Sequence, residues 1–215
     1  MNAPSFRRLL PLALLAATLS EAAGCRRNPP PSASLDPRNP EWARRVVLPG
    51  VPNLYEVTPD LYRGAQPTPE GFRELAGLGI RTIVDLRYFH SDIDELRAAG
   101  EASAFDYVRI RSTAWWPETE DVVRFLRVAT DPKMVPVFVH CEYGSDRTGM
   151  MVAAYRVVVQ GWSKRRAIAE MTRGGYGYHW FWADLVDFIE DMDVPAIRRE
   201  VGVSGPVRPA RPARL

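Results

Sequence analysis

The chain has 215 residues, 46% of them apolar and 25% charged, which is enough for one ordinary domain plus tails. Its net charge of +2 hides an asymmetry: residues 1–45 and 196–215 each carry a net +4, while residues 46–195 hold 16 basic side chains against 22 acidic ones. An acidic body lacks the basic footprint that a nucleic-acid backbone requires, and it disfavours highly phosphorylated small molecules for the same reason.

The N-terminus reads FRRLLPLALLAATLSEAAGC. Arg7 and Arg8 precede an apolar run, Leu9 to Leu19, too short to span a bilayer comfortably, which is the pattern of an export signal. Ala22-Ala23-Gly24-Cys25 resembles the lipobox of bacterial lipoproteins, whose cysteine is acylated and becomes the mature N-terminus. Alanine stands where that motif more often has leucine, and Glu21 intrudes just upstream, so plain signal cleavage and an uncleaved anchor stay open. Residues 1–25 are read as this signal, 26–45 as a Pro-rich linker, 46–195 as the folded domain and 196–215 as a disordered Pro- and Arg-rich tail. The expected location is the periplasm, with membrane attachment through a lipidated Cys25. Arg26 lacks the aspartate that retains lipoproteins at the inner membrane, which leans to the outer one. A lipid on Cys25 leaves Cys141 without a disulfide partner in the chain.

Within the domain, residues 54–65 alternate apolar and polar around Thr58-Pro59-Asp60, a hairpin. Thr68 as N-cap, Pro69 at the first helical position, Glu70 in the first turn and Gly79 past the end mark a short helix. RTIVDLR (81–87) is a strand, SDIDELRAAGEA (91–102) a helix opened by a capping signal, DYVRIR (106–111) a strand and TEDVVRFLRVA (119–129) an amphipathic helix. VPVFVHC (135–141) is almost unbroken apolar, as a strand buried on both faces is. Residues 148–160 continue as a helix closed by Gly161, Ser163 caps another through Met171, and HWFWADLVDFIEDM is the last. Alternation throughout predicts an α/β fold with a small, mostly parallel central sheet covered by helices on both faces.

Cys141 stands at the carboxyl end of one such strand, where ligands collect in folds of this kind. The loop Glu142-Tyr143-Gly144-Ser145-Asp146-Arg147 runs from it into a helix. Its successive backbone N–H groups can curl into an anion-binding nest, with the positive end of the helix pointing in and Gly144 permitting the tight curl. Such surroundings keep a thiol ionised, and a thiolate attacks phosphorus. The planar fork of Arg147 matches two phosphate oxygens. Thr148 is placed to hydrogen-bond the sulfur as it leaves, and His140 to orient the loop through its ring nitrogens. No metal-ligand spacing exists among His90, His140 and His179, and the Walker pattern fails because Met150 stands where a lysine is required.

His140-Cys141-(five residues)-Arg147-Thr148-Gly149 resembles the signature of the cysteine-dependent protein tyrosine phosphatases, in particular their compact dual-specificity branch. The resemblance covers about residues 54–192, through LYRGAQP, RTIVDLR, the signature and GWSKRRAIAEM. It implies a metal-independent, cofactor-free phosphomonoesterase working through a phosphocysteine, with Glu142, Tyr143, Gly144, Ser145 and Thr148 around the phosphate.

The leaving oxygen needs a proton, which the family draws from an aspartate on a loop upstream. Here Trp115-Trp116-Pro117-Glu118-Thr119-Glu120-Asp121 is similar to that loop, with glutamate in the aspartate position, so Glu118 ranks ahead of Asp121 and Glu120. Asp146 is a rival inside the signature, or else a residue that holds the loop. Glu142 and Asp146 set two acids at the mouth, which favours a single dianionic phosphate such as phosphotyrosine on a protein or a small phosphomonoester. An inositol phosphate or phosphoinositide phosphatase is the alternative, and a phosphate-binding pseudophosphatase the alternative of another class. The aromatic residues of 174–182 read as packing for the last helix, with walling of the pocket as the other possibility; Arg63, Gln66 and Arg87 read as structural, with contact to the signature loop as the other possibility for Arg87 at its strand end.

Overall fold

A computed structural model describes residues 39–204. The export signal, Cys25 and most of the expected linker and tail lie outside the described residues. A six-stranded sheet runs in the order β1 (Arg44–Arg45), β2 (Tyr55–Thr58), β3 (Leu61–Gly64), β6 (Val137–His140), β4 (Thr82–Asp85), β5 (Asp106–Arg109). The first three strands are antiparallel; β3, β6, β4 and β5 are parallel, as the βα alternation predicts.

Both faces of the parallel part are covered, and the strand residues divide by period two. Val137 and Val139 of β6 and Val84 of β4 pack into one core with the helices α3 (Thr119–Thr130), α4 (Asp146–Val158), α5 (Lys164–Arg173), α6 (Ala183–Asp191) and α7 (Val194–Val201). Phe138 and Ile83 point the other way, into a smaller core under α1 (Pro69–Gly77) and α2 (Ile93–Ala99). A strand covered on two sides needs an apolar residue at every step, which explains the unbroken run at 135–141. The Thr68 hydroxyl accepts from the Gly71 N–H and caps α1 as its sequence requires.

The domain is wider than 46–195 at both ends. β1 pairs with β2, and the Ala43 N–H donates to Glu170 Oε1 at 2.7 Å, so the linker expected through residue 45 has already joined the fold. At the other end, 196–201 are helical rather than disordered. Asp193 caps α7 by accepting from the Ala196 N–H at 3.0 Å, Pro195 stands in the first turn, Gly202 closes the end, and Ile197 is buried against the larger core. No helix among the described residues is long and apolar enough to cross a membrane.

Register fixes the site. His140 lies level with Gly64 on one side and Asp85 on the other, so the carboxyl ends of β3, β6 and β4 finish together. Cys141 and the loop behind it leave the sheet at that shared edge.

Candidate active site

Cys141 is buried at the base of the loop, and α4 begins at Asp146. α4 is apolar on nearly its whole circumference and runs through the core; of its residues only Arg147 is not fully buried. Its guanidinium lies across the opening, where Nη1 donates to the carbonyls of Leu86 (3.3 Å) and Ser112 (3.4 Å).

The loop's carbonyls are all taken. The Gln66 N–H donates to Glu142 O at 3.1 Å, Asn53 Nδ2 to Tyr143 O at 2.9 Å, and Arg63 Nη2 to Gly144 O at 2.7 Å and to Ser145 O at 3.4 Å. Each of these donors belongs to β3 or to the turns beside it. A trans peptide turns its N–H opposite to its C=O. The N–H groups of Tyr143 to Asp146 therefore face away from those donors, and among the described residues those of Glu142 to Ser145 find no acceptor. The free N–H groups of the first turn of α4 continue the row. This is an anion cradle built by holding its back. Gly144 is indispensable to it: φ is +69°, and a Cβ there would sit 2.4 Å from the Gly64 carbonyl.

Arg63 is the centre of that support. It is 1% exposed, and its guanidinium lies 3.9 Å over the Tyr176 ring. Burial pushes the guanidinium down from its ordinary value, while Tyr176, Glu170 and Cys141 pull it back up. Tyr176 in turn donates to Glu170 Oε1 at 3.2 Å, and Glu170 is clamped by Arg156 at 2.7 and 2.8 Å. A second buried chain lies below His140. Its Nε2 meets Asp92 Oδ2 at 2.8 Å and its Nδ1 faces the Cys141 carbonyl at 3.3 Å, as an orienting histidine should. Burial alone would raise the Asp92 carboxyl, but the hydrogen bonds of His140 and Gln66 outweigh it and hold the group below the usual range. Asp92 thus serves His140 instead of capping α2, whose first turn has no side-chain cap. Asp85, Asp92 and His140 bring ligand atoms within 4.8 Å of one another, but they close on themselves: Asp85 accepts from the Arg87 N–H and the Tyr107 hydroxyl.

A cleft of about 540 Å³ opens above the loop. Glu142, Tyr143, Asp146 and Arg147 line it, with Arg87, His90, Ser112 to Trp115, His179, Phe181 and Trp182. A scan against protein families matches residues 53–177 to the phosphatase domain described as "DSP-PTPase phosphatase fused to NAD+ Kinase". The chain belongs to the dual-specificity phosphatase family. It is 35% identical over 179 residues to the dual specificity protein phosphatase TpbA of Pseudomonas aeruginosa, covering 81% of this chain and 77% of that protein. A crystal structure of a Cys-to-Ser variant of P. aeruginosa TpbA in complex with pTyr superposes with a TM-score of 0.66 at 30% identity, covering 78% of this chain and 99% of that one. An inositol diphosphatase of Arabidopsis thaliana is 31% identical over 158 residues, covering 72% of this chain and 76% of that protein.

Several residues of this phosphatase sit differently from expectation. Ser145 Oγ is buried and donates to the Tyr176 carbonyl at 2.8 Å, so it braces the loop from behind. The Thr148 hydroxyl is fully buried and has no partner, the sulfur included, among the described residues. Asp146 has both oxygens engaged by His179, from the backbone N–H at 2.8 Å and ring Nδ1 at 2.9 Å. Glu118 is exposed at the N-cap of α3 and Glu120 is exposed in its first turn; neither these two nor Asp121 lines the cleft. Asp121 is buried, and burial together with the neighbouring Glu118 carboxylate raises its carboxyl above the usual range. Arg63 and Gln66 are structural, and Arg87 reaches the cleft. The first two hold the loop, and Arg87 lines the cleft, held by Gln66 Oε1 at 3.0 Å and facing Glu142 at 3.8 Å. The 174–182 stretch divides: Tyr176 is core, while His179, Phe181 and Trp182 wall the cleft.

Proposed function

We propose that this phosphatase hydrolyses phosphotyrosyl groups on protein, through a phosphocysteine on Cys141. The single observation that carries the reading is the row of acceptor-free N–H groups facing the Cys141–Arg147 opening. The Cys141 sulfur attacks phosphorus, an S–P bond forms and the ester P–O bond breaks. The N–H row and the Arg147 fork hold the equatorial oxygens, a hold that tightens as charge spreads over them. Asp121 gives its proton to the leaving phenolic oxygen; its raised carboxyl is suited to carrying that proton. Water then attacks phosphorus, losing its proton to the Asp121 carboxylate. The S–P bond breaks, and inorganic phosphate leaves. The buried, unpaired Thr148 hydroxyl is a spare donor for the departing sulfur.

The 30% likeness to the phosphotyrosine-bound TpbA structure supports the substrate. So does the mouth, where Glu142 and Asp146 offset Arg87 and Arg147. One observation favours the other reading: Arg87 stands beside the cradle as a second cation, and an inositol diphosphatase is among the relatives. A substrate panel decides. Cys141→Ser should lower turnover of a phosphotyrosyl peptide by about 10⁴-fold or more. The native chain should prefer that peptide to inositol pyrophosphates; the reverse preference, with the peptide inert, overturns the reading.

We also take the domain to be exported and tethered by a lipid on Cys25, the reading its signal and lipobox-like residues support. Labelled fatty acid should be incorporated by the native chain and not by Cys25→Ala; equal labelling would remove the tether.

A further inference from the structure

Among the described residues, the aromatic side chains left exposed gather at one place, whereas the exposed aliphatic ones, Val47, Leu78 and Ile93, lie outside the cleft lining. Phe89 is 89% exposed, Trp180 82% and Trp116 72%; Trp115, Tyr143 and Phe181 are each more than half exposed. All of them line the cleft or adjoin residues that do. A monomer leaves few such groups in one patch unless something covers them.

They form two groups. One is the pair Tyr88 and Phe89, whose rings lie 4.7 Å apart on the loop after β4. The other is a chain of rings through Trp115, Trp182 and Phe181, with spacings of 6.2 and 5.2 Å, that continues to Trp180 at 6.1 Å. Both groups border the same opening, so whatever enters the cradle meets aromatic surface beyond the phosphoryl group.

We propose that the aromatic rim is a specificity surface for a polypeptide, taking bulky apolar side chains on either side of the phosphorylated residue. The inference rests on the phosphotyrosyl reading above. The rim is continuous with the cleft in which any substrate must dock, and a cleft of about 540 Å³ is of a size to hold far more than one phosphoryl group. Aromatic walls offer nothing to the dense anion of an inositol polyphosphate. A bilayer is disfavoured by charge: residues 46–195 carry a net −6, whereas anionic headgroups select basic surfaces. An apolar-flanked peptide meets neither objection.

The test uses phosphotyrosyl peptides with leucine or phenylalanine on both sides, on one side, or on neither, the last flanked by glycine and serine. kcat/KM for the doubly apolar peptide should exceed that of the glycine/serine peptide by roughly tenfold or more, with single-sided peptides between. Phe89→Ser should erase the preference for one side and Phe181→Ser for the other. Damage to the cradle cancels in the ratio, which therefore decides even if absolute rates fall. A native ratio near one, or a ratio that neither variant moves, overturns the inference. If the glycine/serine peptide gains only when anchored to phosphatidylcholine vesicles, the rim is a membrane face, and the polypeptide assignment is again overturned. Phenyl phosphate reports separately on the catalytic reading. Should neither it nor any peptide turn over, binding of the same peptides to Cys141→Ser, followed by tryptophan fluorescence, judges the rim alone: flank-dependent affinity keeps it, equal affinities sink it.

Discussion

The cleft has two sides, and they are built in opposite ways. On the side of residues 142–145 each loop carbonyl is held by a donor from β3 or its neighbouring turns, and one of those donors, Arg63, packs on Tyr176, which Glu170 and Arg156 hold in turn. On the side of residues 112–118 the bonds are few: Thr113 Oγ1 donates to the Trp116 carbonyl, and the Ser112 carbonyl accepts from Arg147. Trp115 and Trp116 face solvent there. The difference matches the two tasks. A cradle for charge must be fixed before the transition state arrives, because reorienting dipoles during the reaction costs the energy they would supply. A proton donor need only reach the leaving oxygen, and a lightly held segment can adjust to it.

Disabling the rigid side should have the largest effect. Arg63→Met removes the donor to Gly144 and Ser145 and leaves their carbonyls buried without it, at a stability cost of about 1–3 kcal/mol. With the carbonyls released, the N–H groups lose their fixed direction, and kcat on phenyl phosphate should fall by about 10²-fold. Thermal melts followed by circular dichroism separate the two effects: a folded variant with depressed kcat supports the clamp, and a folded variant with native kcat breaks the contrast between the two sides. Arg63→Lys, a point charge without the fork, should recover little.

The second test addresses the acid at the start of α3, just past the lightly held segment. Asp121→Asn should lower kcat on a phosphotyrosyl peptide by about 10²-fold, yet spare most turnover of an aryl phosphate whose leaving group needs no proton. The pH profile has a definite sign. An acid must be protonated to act, so native kcat falls as pH rises through the Asp121 pKa. Because burial raises that pKa, the fall begins above the ordinary carboxylate range near 3.9. In the asparagine variant that alkaline limb should disappear. Should Glu118→Gln show the substrate contrast instead, the exposed carboxylate is the donor and the burial argument fails.

These two sides also differ in how far a reader of the sequence alone can see them. Cys141, Arg147 and the strand-to-helix turn are legible because one continuous stretch encodes them, and Gly144 because its backbone needs no partner to be recognised. Arg63 is not, since a side chain that bonds a distant carbonyl leaves no spacing to find; LYRGAQP offers an arginine in a strand and nothing more. The acid is ambiguous for a different reason. Glu118, Glu120 and Asp121 all suit the first turn of α3 by favouring its dipole, and only burial distinguishes Asp121. α7 is encoded locally, because Asp193, Pro195 and Gly202 form a cap, first-turn proline and C-terminal glycine, but the arginines and prolines that follow mask it by favouring disorder.

The smallest expected effect concerns the seam between the rigid loop and the aromatic wall. Asp146 lines the cleft as a donor would, yet its two oxygens are occupied by the backbone and ring of His179. If it is a tie, Asp146→Asn keeps an acceptor for the His179 N–H but loses the charged partner of the ring, a change of about 1 kcal/mol. The wall carrying Phe181 and Trp182 then loosens, and KM for a phosphotyrosyl peptide should rise about fivefold while kcat is nearly kept. If Asp146 were the proton donor, kcat on the peptide would collapse and KM would not. His179→Ala separates the two once more: it cuts the same tie from the other end, so matching KM increases in the two variants identify the seam as structural, and a kcat loss confined to Asp146→Asn would move the acid from α3 to the rigid side of the cleft.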